Sequence, residues 1–151
     1  MEASVRATPP PSSEAVSRRM ARVRTAGTAP EQRLRTLLHS RGLRYRVNRQ
    51  PSAAIRCRPD LVFGPARVAV FIDGCFWHGC PQHASWPKSN AEWWRQKIAK
   101  NQRRDAETSR RLTEEGWLVL RIWEHMDPTE AAKTIQLAVR ERRSRRGRPS
   151  P

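Results

Sequence analysis

Arg58-Pro59-Asp60-Leu61-Val62-Phe63-Gly64-Pro65-Ala66-Arg67-Val68-Ala69-Val70-Phe71-Ile72-Asp73-Gly74-Cys75 is the stretch from which the architecture follows. Two runs rich in β-branched and aromatic residues, 61–63 and 67–72, flank the turn dipeptide Gly64-Pro65, so they read as an antiparallel hairpin. With the hairpin centred on that turn, Asp60 falls opposite Val70 to Ile72. Its carboxylate then lies beside the end of the second strand, where Asp73-Gly74 breaks into the loop Cys75-Phe76-Trp77-His78-Gly79-Cys80-Pro81-Gln82-His83. This geometry brings an acid, a backbone carbonyl and His78 into one neighbourhood.

The loop holds two of the three cysteines and two of the four histidines. Cys75, Cys80 and His83 have C-x4-C-x2-H spacing, which lets three soft or borderline donors converge on an ion of the Zn²⁺ type. A tetrahedral site needs a fourth ligand from among His39, Cys57, His78 and His125. His125 is the best placed, because it follows the strand-like run 117–123, whose end can lie beside the loop. The expected set is Cys75, Cys80, His83 and His125; the competing reading is free buried cysteines with incidental histidines. Cys57 is left as a spare thiol.

At 151 residues the chain allows one domain with a modest core. No segment approaches the roughly 20 apolar residues that span a bilayer, and no apolar signal-peptide core opens the chain, so a cytoplasmic protein is expected. Three cysteines cannot pair completely, which suits thiolate ligands in a reducing compartment. The net charge is +16, and all but four of the 30 basic residues, Lys88, Lys97, Lys100 and Lys133, are arginine. That excess points to polyphosphate, although arginine-rich composition also accompanies GC-rich codon usage.

Working outward, residues 1–16 lack apolar periodicity and are expected to be a disordered tail. Residues 17–26 carry Arg18, Arg19, Arg22 and Arg24 with Met20 and Val23, and read either as an arm that orders on a duplex or as a solvated tail. Thr28, Pro30 and Glu31 open a helix with Leu34, Leu37 and Leu38 on one face, ended by Gly42. Tyr45-Arg46-Val47 is a short strand and 48–58 a polar loop. Ser89-Asn90-Ala91-Glu92 has capping-box form and starts a long helix through Trp93-Trp94, Ile98 and Leu112, stopped by Gly116. Residues 117–123 form the fourth strand. Asp127-Pro128 begins a last helix with Ile135 and Val139 on one face. A single domain over 17–139 is expected, with 140–151 a basic disordered tail.

Taken in order, Glu31 on a helix, Arg58-Pro59-Asp60, the hairpin, Phe71-Ile72-Asp73-Gly74-Cys75-Phe76-Trp77-His78-Gly79-Cys80-Pro81-Gln82-His83, the Trp93-Trp94 helix with Lys97 and Asn101, and the last strand followed by Glu124-His125 resemble the very short patch repair (Vsr) endonucleases. The resemblance runs from about Arg18 to His125. It implies an α/β fold with a restriction-endonuclease-like core of the PD-(D/E)xK superfamily, a central mixed sheet flanked by helices and a structural zinc site. It also implies Mg²⁺-dependent nicking of one strand 5′ to the thymine of a T·G mismatch left by deamination of 5-methylcytosine.

By the same resemblance, Asp60 is the metal-binding aspartate with the Ile72 carbonyl as second contact, and His78 is the catalytic histidine. Glu31 belongs near the metal's water shell and Asn101 near the scissile phosphate. Cys75, Cys80, His83 and His125 match zinc ligands, while Phe76, Trp77 and Trp94 match aromatics that wedge into the base stack. Met20 enters from the other groove, and Arg18, Arg19, Arg22 and Lys97 contact DNA. The implied protein is a bacterial, cytoplasmic monomer, nucleoid-associated when bound to mismatched double-stranded DNA. Other mismatch-repair proteins are further partners, and no membrane is involved.

The residue chemistry agrees with these roles. An ordinary PD-(D/E)xK nuclease carries a carboxylate and a lysine two apart on the second hairpin strand, where this chain has Phe71 and Asp73. Without that lysine the base falls to His78, since an imidazole ordinarily titrates near pH ~6.5. Asp73 either binds a second metal or shapes the turn. Phe76 and Trp77 are either ordinary core or intercalators, for which unstacking a base step costs a few kcal/mol and least at a mismatch. A zinc-stabilised DNA-binding module without catalysis, or a related nuclease without mismatch selectivity, are the alternatives.

Overall fold

The computed structural model describes residues 29–75, 80, 81 and 88–147. Its described elements run α1 (Ala29–Ser40), β1 (Arg46–Val47), β2 (Leu61–Phe63), β3 (Val68–Asp73), α2 (Ala91–Glu114), β4 (Leu118–Trp123) and α3 (Pro128–Arg146). The expected tail 1–16, the basic arm and the greater part of the Cys/His loop lie outside the described residues.

The four strands form one mixed sheet in the order β1-β2-β3-β4. The hairpin is as expected: β2 and β3 pair antiparallel with Leu61 opposite Val70 and Phe63 opposite Val68. Extending that register by one step sets Asp60 opposite Phe71. The turn closes through the Arg67 N–H donating to the Gly64 carbonyl at 3.1 Å, and its left-handed residue is Arg67 (φ 52°) instead of a glycine. β3 and β4 pair in parallel, Val68 with Leu118 through Asp73 with Trp123, and α2 supplies the crossover that a parallel pair requires.

Side-chain alternation along β3 and β4 assigns the two sheet faces. Val68, Val70 and Ile122 join Leu34 and Leu38 of α1 and Ala132, Ile135 and Val139 of α3 in the main core. Ala69 packs with Ile55 and with Leu112 of α2 on the other face, and Phe71 and Val119 lie against them. β3 is therefore covered on both sides, which is why it reads as an unbroken apolar run.

Two local expectations are corrected. The capping box before α2 is not made: Asn90 is the N-cap in a left-handed conformation (φ 57°) without a side-chain cap bond, a geometry asparagine tolerates. The chain beyond residue 139 is not a tail from the outset, because α3 continues to Arg146. Arg142 donates to the Ala66 carbonyl at 3.2 Å and to the Gly116 carbonyl, and Arg145 pairs with Glu141 at 2.6 Å, so the basic run has partners that hold it helical. At the other end of α3, the Asp127 carboxylate accepts from the N–H groups of Thr129 (2.9 Å) and Glu130 (3.2 Å), the cap its sequence suggests.

Candidate active site and metal centre

Both candidate sites hang from the C-terminal end of β3. On the hairpin side, Asp60 Oδ2 accepts the Ile72 N–H at 2.7 Å. In an extended strand the N–H and C=O of one residue point to the same side, so the Ile72 carbonyl also faces the Asp60 side of the strand. Burial pushes the Asp60 carboxyl up to about 6, and the nearby carboxylates of Glu31 and Asp73 act in the same direction. The Ile72 hydrogen bond and the Arg35 charge only partly offset this. A half-buried acid crowded by two others is a place where a divalent cation is favoured.

Glu31 reaches this corner from the first turn of α1 and is 3% exposed. It is ion-paired with Arg35 one turn on, and the Arg35 Nε atom is buried with no hydrogen-bond partner among the described residues. Asn101, on α2, is also buried. The Asp73 carboxylate is engaged on the far side of the strand, where Arg121 Nη1 lies 3.1 and 3.3 Å from its two oxygens. Next to Asp60, whose carbonyl accepts the Asn48 N–H at 3.4 Å, a recess of about 390 Å³ is lined by Val47, Asn48, Arg49, Gln50 and Arg58. The recess thus lies on the β1 side of the Asp60 backbone, with Arg49 and Arg58 in its lining, while the Asp60 carboxylate points to β3.

On the loop side, Cys75, Cys80 and His125 present ligand atoms that all lie within 4.8 Å of one another. His125 Nδ1 is 3.1 Å from Cys75 Sγ and 3.8 Å from Cys80 Sγ. A tetrahedral Zn²⁺ with ordinary Zn–S and Zn–N bonds has ligand edges of about 3.6 Å, so the donor set and its spacing fit that ion. The cluster is built by backbone bonds: Cys80 N–H donates to the Cys75 carbonyl (2.9 Å), Cys75 N–H to the Glu124 carboxylate (3.1 Å), and Glu124 N–H to the Asp73 carbonyl (3.0 Å). Both cysteines are buried, and burial first, then the adjoining Cys80 thiol, pushes the Cys75 thiol up. Two thiols so placed need a cation before both can ionise.

Of the expected residues, the structure brings together Asp60, Ile72 and Glu31 in one corner and Cys75, Cys80 and His125 in another. His78, His83, Phe76, Trp77, Met20, Arg18, Arg19 and Arg22 lie outside the described residues. Trp94 is 7% exposed and meets Trp93 edge to face at 4.7 Å, so a wedging role requires its ring to leave that packing. Lys97 is half-buried. Cys57 is a free, half-buried thiol packed near the second core cluster. Sequence reasoning missed Arg121, Arg35 and Glu124. A signal existed for the first two: Arg121 is the single charge in an otherwise apolar strand, and Arg35 stands four residues from Glu31 on one helix.

A mixed sheet flanked by helices, with an acid at the mouth of its hairpin, fits a DNA-directed nuclease, and comparison with known proteins establishes that class. The family described as DNA mismatch endonuclease Vsr matches residues 12–84. The chain is 41% identical over 129 residues to a type II nicking enzyme, V.NaeI, of Lentzea aerocolonigenes, covering 84% of this chain and 78% of that one. It is 42% identical to the type II nicking enzyme V.NmeDIP of Neisseria meningitidis serogroup C, over 79% and 82% of the two chains. It is 40% identical to the DNA mismatch endonuclease Vsr of Escherichia coli K12, over 72% and 68%. The chain belongs to the Vsr DNA mismatch endonuclease family, and it is an endodeoxyribonuclease.

Proposed function

We propose that the protein nicks one strand of duplex DNA 5′ to the thymine of a T·G mismatch, in a Mg²⁺-dependent reaction. The observation that carries this reading is the Asp60 carboxylate, fixed by the Ile72 N–H at 2.7 Å and crowded by Glu31, in a member of a mismatch-endonuclease family. Asp60 and the Ile72 carbonyl are the residues that would hold Mg²⁺, with Glu31 nearby. When bound, that ion supplies positive charge to the scissile phosphate and to the departing 3′ oxygen. His78 takes the proton of the attacking water, and Asn101 orients the phosphate.

Cys75, Cys80 and His125, joined by His83, hold a structural Zn²⁺ that fixes the loop carrying Phe76, Trp77 and His78. Those two aromatics and Trp94 enter the base stack, Met20 reaches in from the opposite groove, and Arg18, Arg19, Arg22 and Lys97 bind phosphates. The loss of stacking at a mispair makes insertion cheapest there. The enzyme acts as a monomer in the bacterial cytoplasm, alongside other mismatch-repair proteins; no described helix is long and apolar enough to cross a membrane.

The test is nicking of a T·G duplex and of the same duplex fully paired, with and without Mg²⁺, by the wild type and Asp60→Ala. Cutting by the wild type on the mismatch alone is expected. A second reading, nicking without mismatch selectivity, is favoured by the relatives named type II nicking enzymes, and equal cutting of both duplexes would establish it.

A further inference from the structure

Asp73 and Arg121 form a device that the metal sites do not explain. Arg121 projects from β4, where its register partner is Phe71, and its guanidinium lies over the Phe71 ring at 4.3 Å. Nη1 donates to both Asp73 oxygens at 3.1 and 3.3 Å, Nε donates to Ser109 Oγ at 2.9 Å, and Nη2 donates to the Asp105 carbonyl at 3.1 Å. The Asp105 carboxylate also stands 3.8 Å from Nη1. Only 24% of the Arg121 side chain and 11% of the Asp73 side chain are exposed. One planar fork therefore ties the last residue of β3 to the middle of α2, with every edge of the guanidinium in use.

The place of this tie on α2 matters. Asn101, Asp105 and Ser109 stand at intervals of four and share a helix face. The grip on Asp105 and Ser109 begins one turn, about 6 Å, beyond Asn101. At its other end the tie holds Asp73, next to Ile72, whose N–H fixes Asp60. Whatever sets the position of α2 along β3 also sets how far Asn101 lies from the metal-binding acid.

We propose that Asp73 is not a ligand of the catalytic metal but the acceptor of Arg121, and that the Asp73–Arg121 pair is a positioning clamp holding the Asn101 face of α2 in register with Asp60. The proposal rests on the nuclease reading above. With its carboxylate committed to a largely buried guanidinium, Asp73 is withheld from a cation at Asp60. Misplacement of a positioning group by an ångström is enough to cost up to about a hundredfold in rate.

The test is a double-mutant cycle, Asp73→Asn and Arg121→Gln singly and together, in the zinc-loaded protein. It reads Mn²⁺ affinity without DNA, melting temperature, and kcat and KM on T·G duplex. A clamp predicts that Asp73→Asn changes Mn²⁺ affinity less than about threefold, while each single variant lowers kcat roughly 10- to 100-fold with KM held, and that the double variant is no worse than the worse single one. Arg121→Lys keeps the charge but not the fork, so its kcat should fall between those of wild type and Arg121→Gln. Ser109→Ala removes one contact without leaving a buried charge and should lower kcat a few-fold, which keeps the idea testable if the charge variants fail to fold. A tenfold or larger loss of Mn²⁺ affinity confined to Asp73→Asn would make Asp73 a ligand and overturn the proposal, as would additive losses in the cycle or no loss in Ser109→Ala. If the wild type nicks nothing, the nuclease reading fails, while the Mn²⁺ measurement still decides what Asp73 does.

Discussion

The two clusters at the end of β3 are separated by two residues of chain, Asp73 and Gly74, yet they are built on opposite terms. The Asp60 corner gathers hard oxygen donors, is partly open, and holds its acid in a state that folding disfavours. The Cys75, Cys80 and His125 corner gathers soft donors, with both sulfurs buried and the backbone wrapped around them. A chain that spends stability on the first and would recover it through an ion at the second separates the place that works from the place that holds. Function then falls to the strained corner and order to the packed one.

That contrast can be broken at either end. The largest effect is expected from Asp60→Ala, which should lower nicking by about 10³-fold or more, equivalent to about 4 kcal/mol of barrier, while leaving melting temperature unchanged or higher; single-turnover nicking beside calorimetry checks it. Next is the sulfur corner. Removal of zinc by chelation, or Cys80→Ser, should release about one ion per chain and lower stability by roughly 3 kcal/mol, seen as a fall in melting temperature with matching loss of zinc by elemental analysis.

The third prediction uses pH. The Asp60 carboxyl titrates near 6 in the folded chain, above its ordinary 3.8, so the folded metal-free protein holds its proton more tightly than the unfolded chain does. Stability contributed by this group is full below about pH 4, falls as pH rises towards 6, and stays lost above it. Asp60→Asn should match wild type below about pH 4 and exceed it above about pH 6, by on the order of 2 kcal/mol in denaturant titrations without divalent metal. In the wild type the same proton competes with the cation, so Mg²⁺ affinity should weaken as pH drops below about 6. The smallest effect is expected away from both corners. Asp127→Ala removes the two N-cap bonds of α3 and should cost about 1 kcal/mol by chemical denaturation, without changing nicking.

Local signals in the sequence were sufficient wherever a single segment decides its own state. Leu34 and Leu38 at helical spacing, Gly42 and Gly116 at positive φ, the hairpin around Gly64-Pro65, and Asp127 before Pro128 all recur in the fold, because turn chemistry and side-chain period act within a few residues. The nearness of Asp60 to Ile72 was legible for the same reason, since hairpin register follows from the turn. The end of α3 was not, because the groups that keep residues 140–146 helical include the Ala66 and Gly116 carbonyls, far off in the chain.

What the sequence by itself determined is the hairpin that lifts Asp60 to the strand end, the meeting of His125 with Cys75 and Cys80, and the family. Only the tertiary structure decided that Asp73 faces Arg121 and that Glu31 and Arg35 close the acid corner from α1. Those choices depend on which strand lies beside β3 and how α2 sits upon it. Such contacts join residues about 25 to 50 apart in the chain, and no local rule of spacing or propensity carries over that distance.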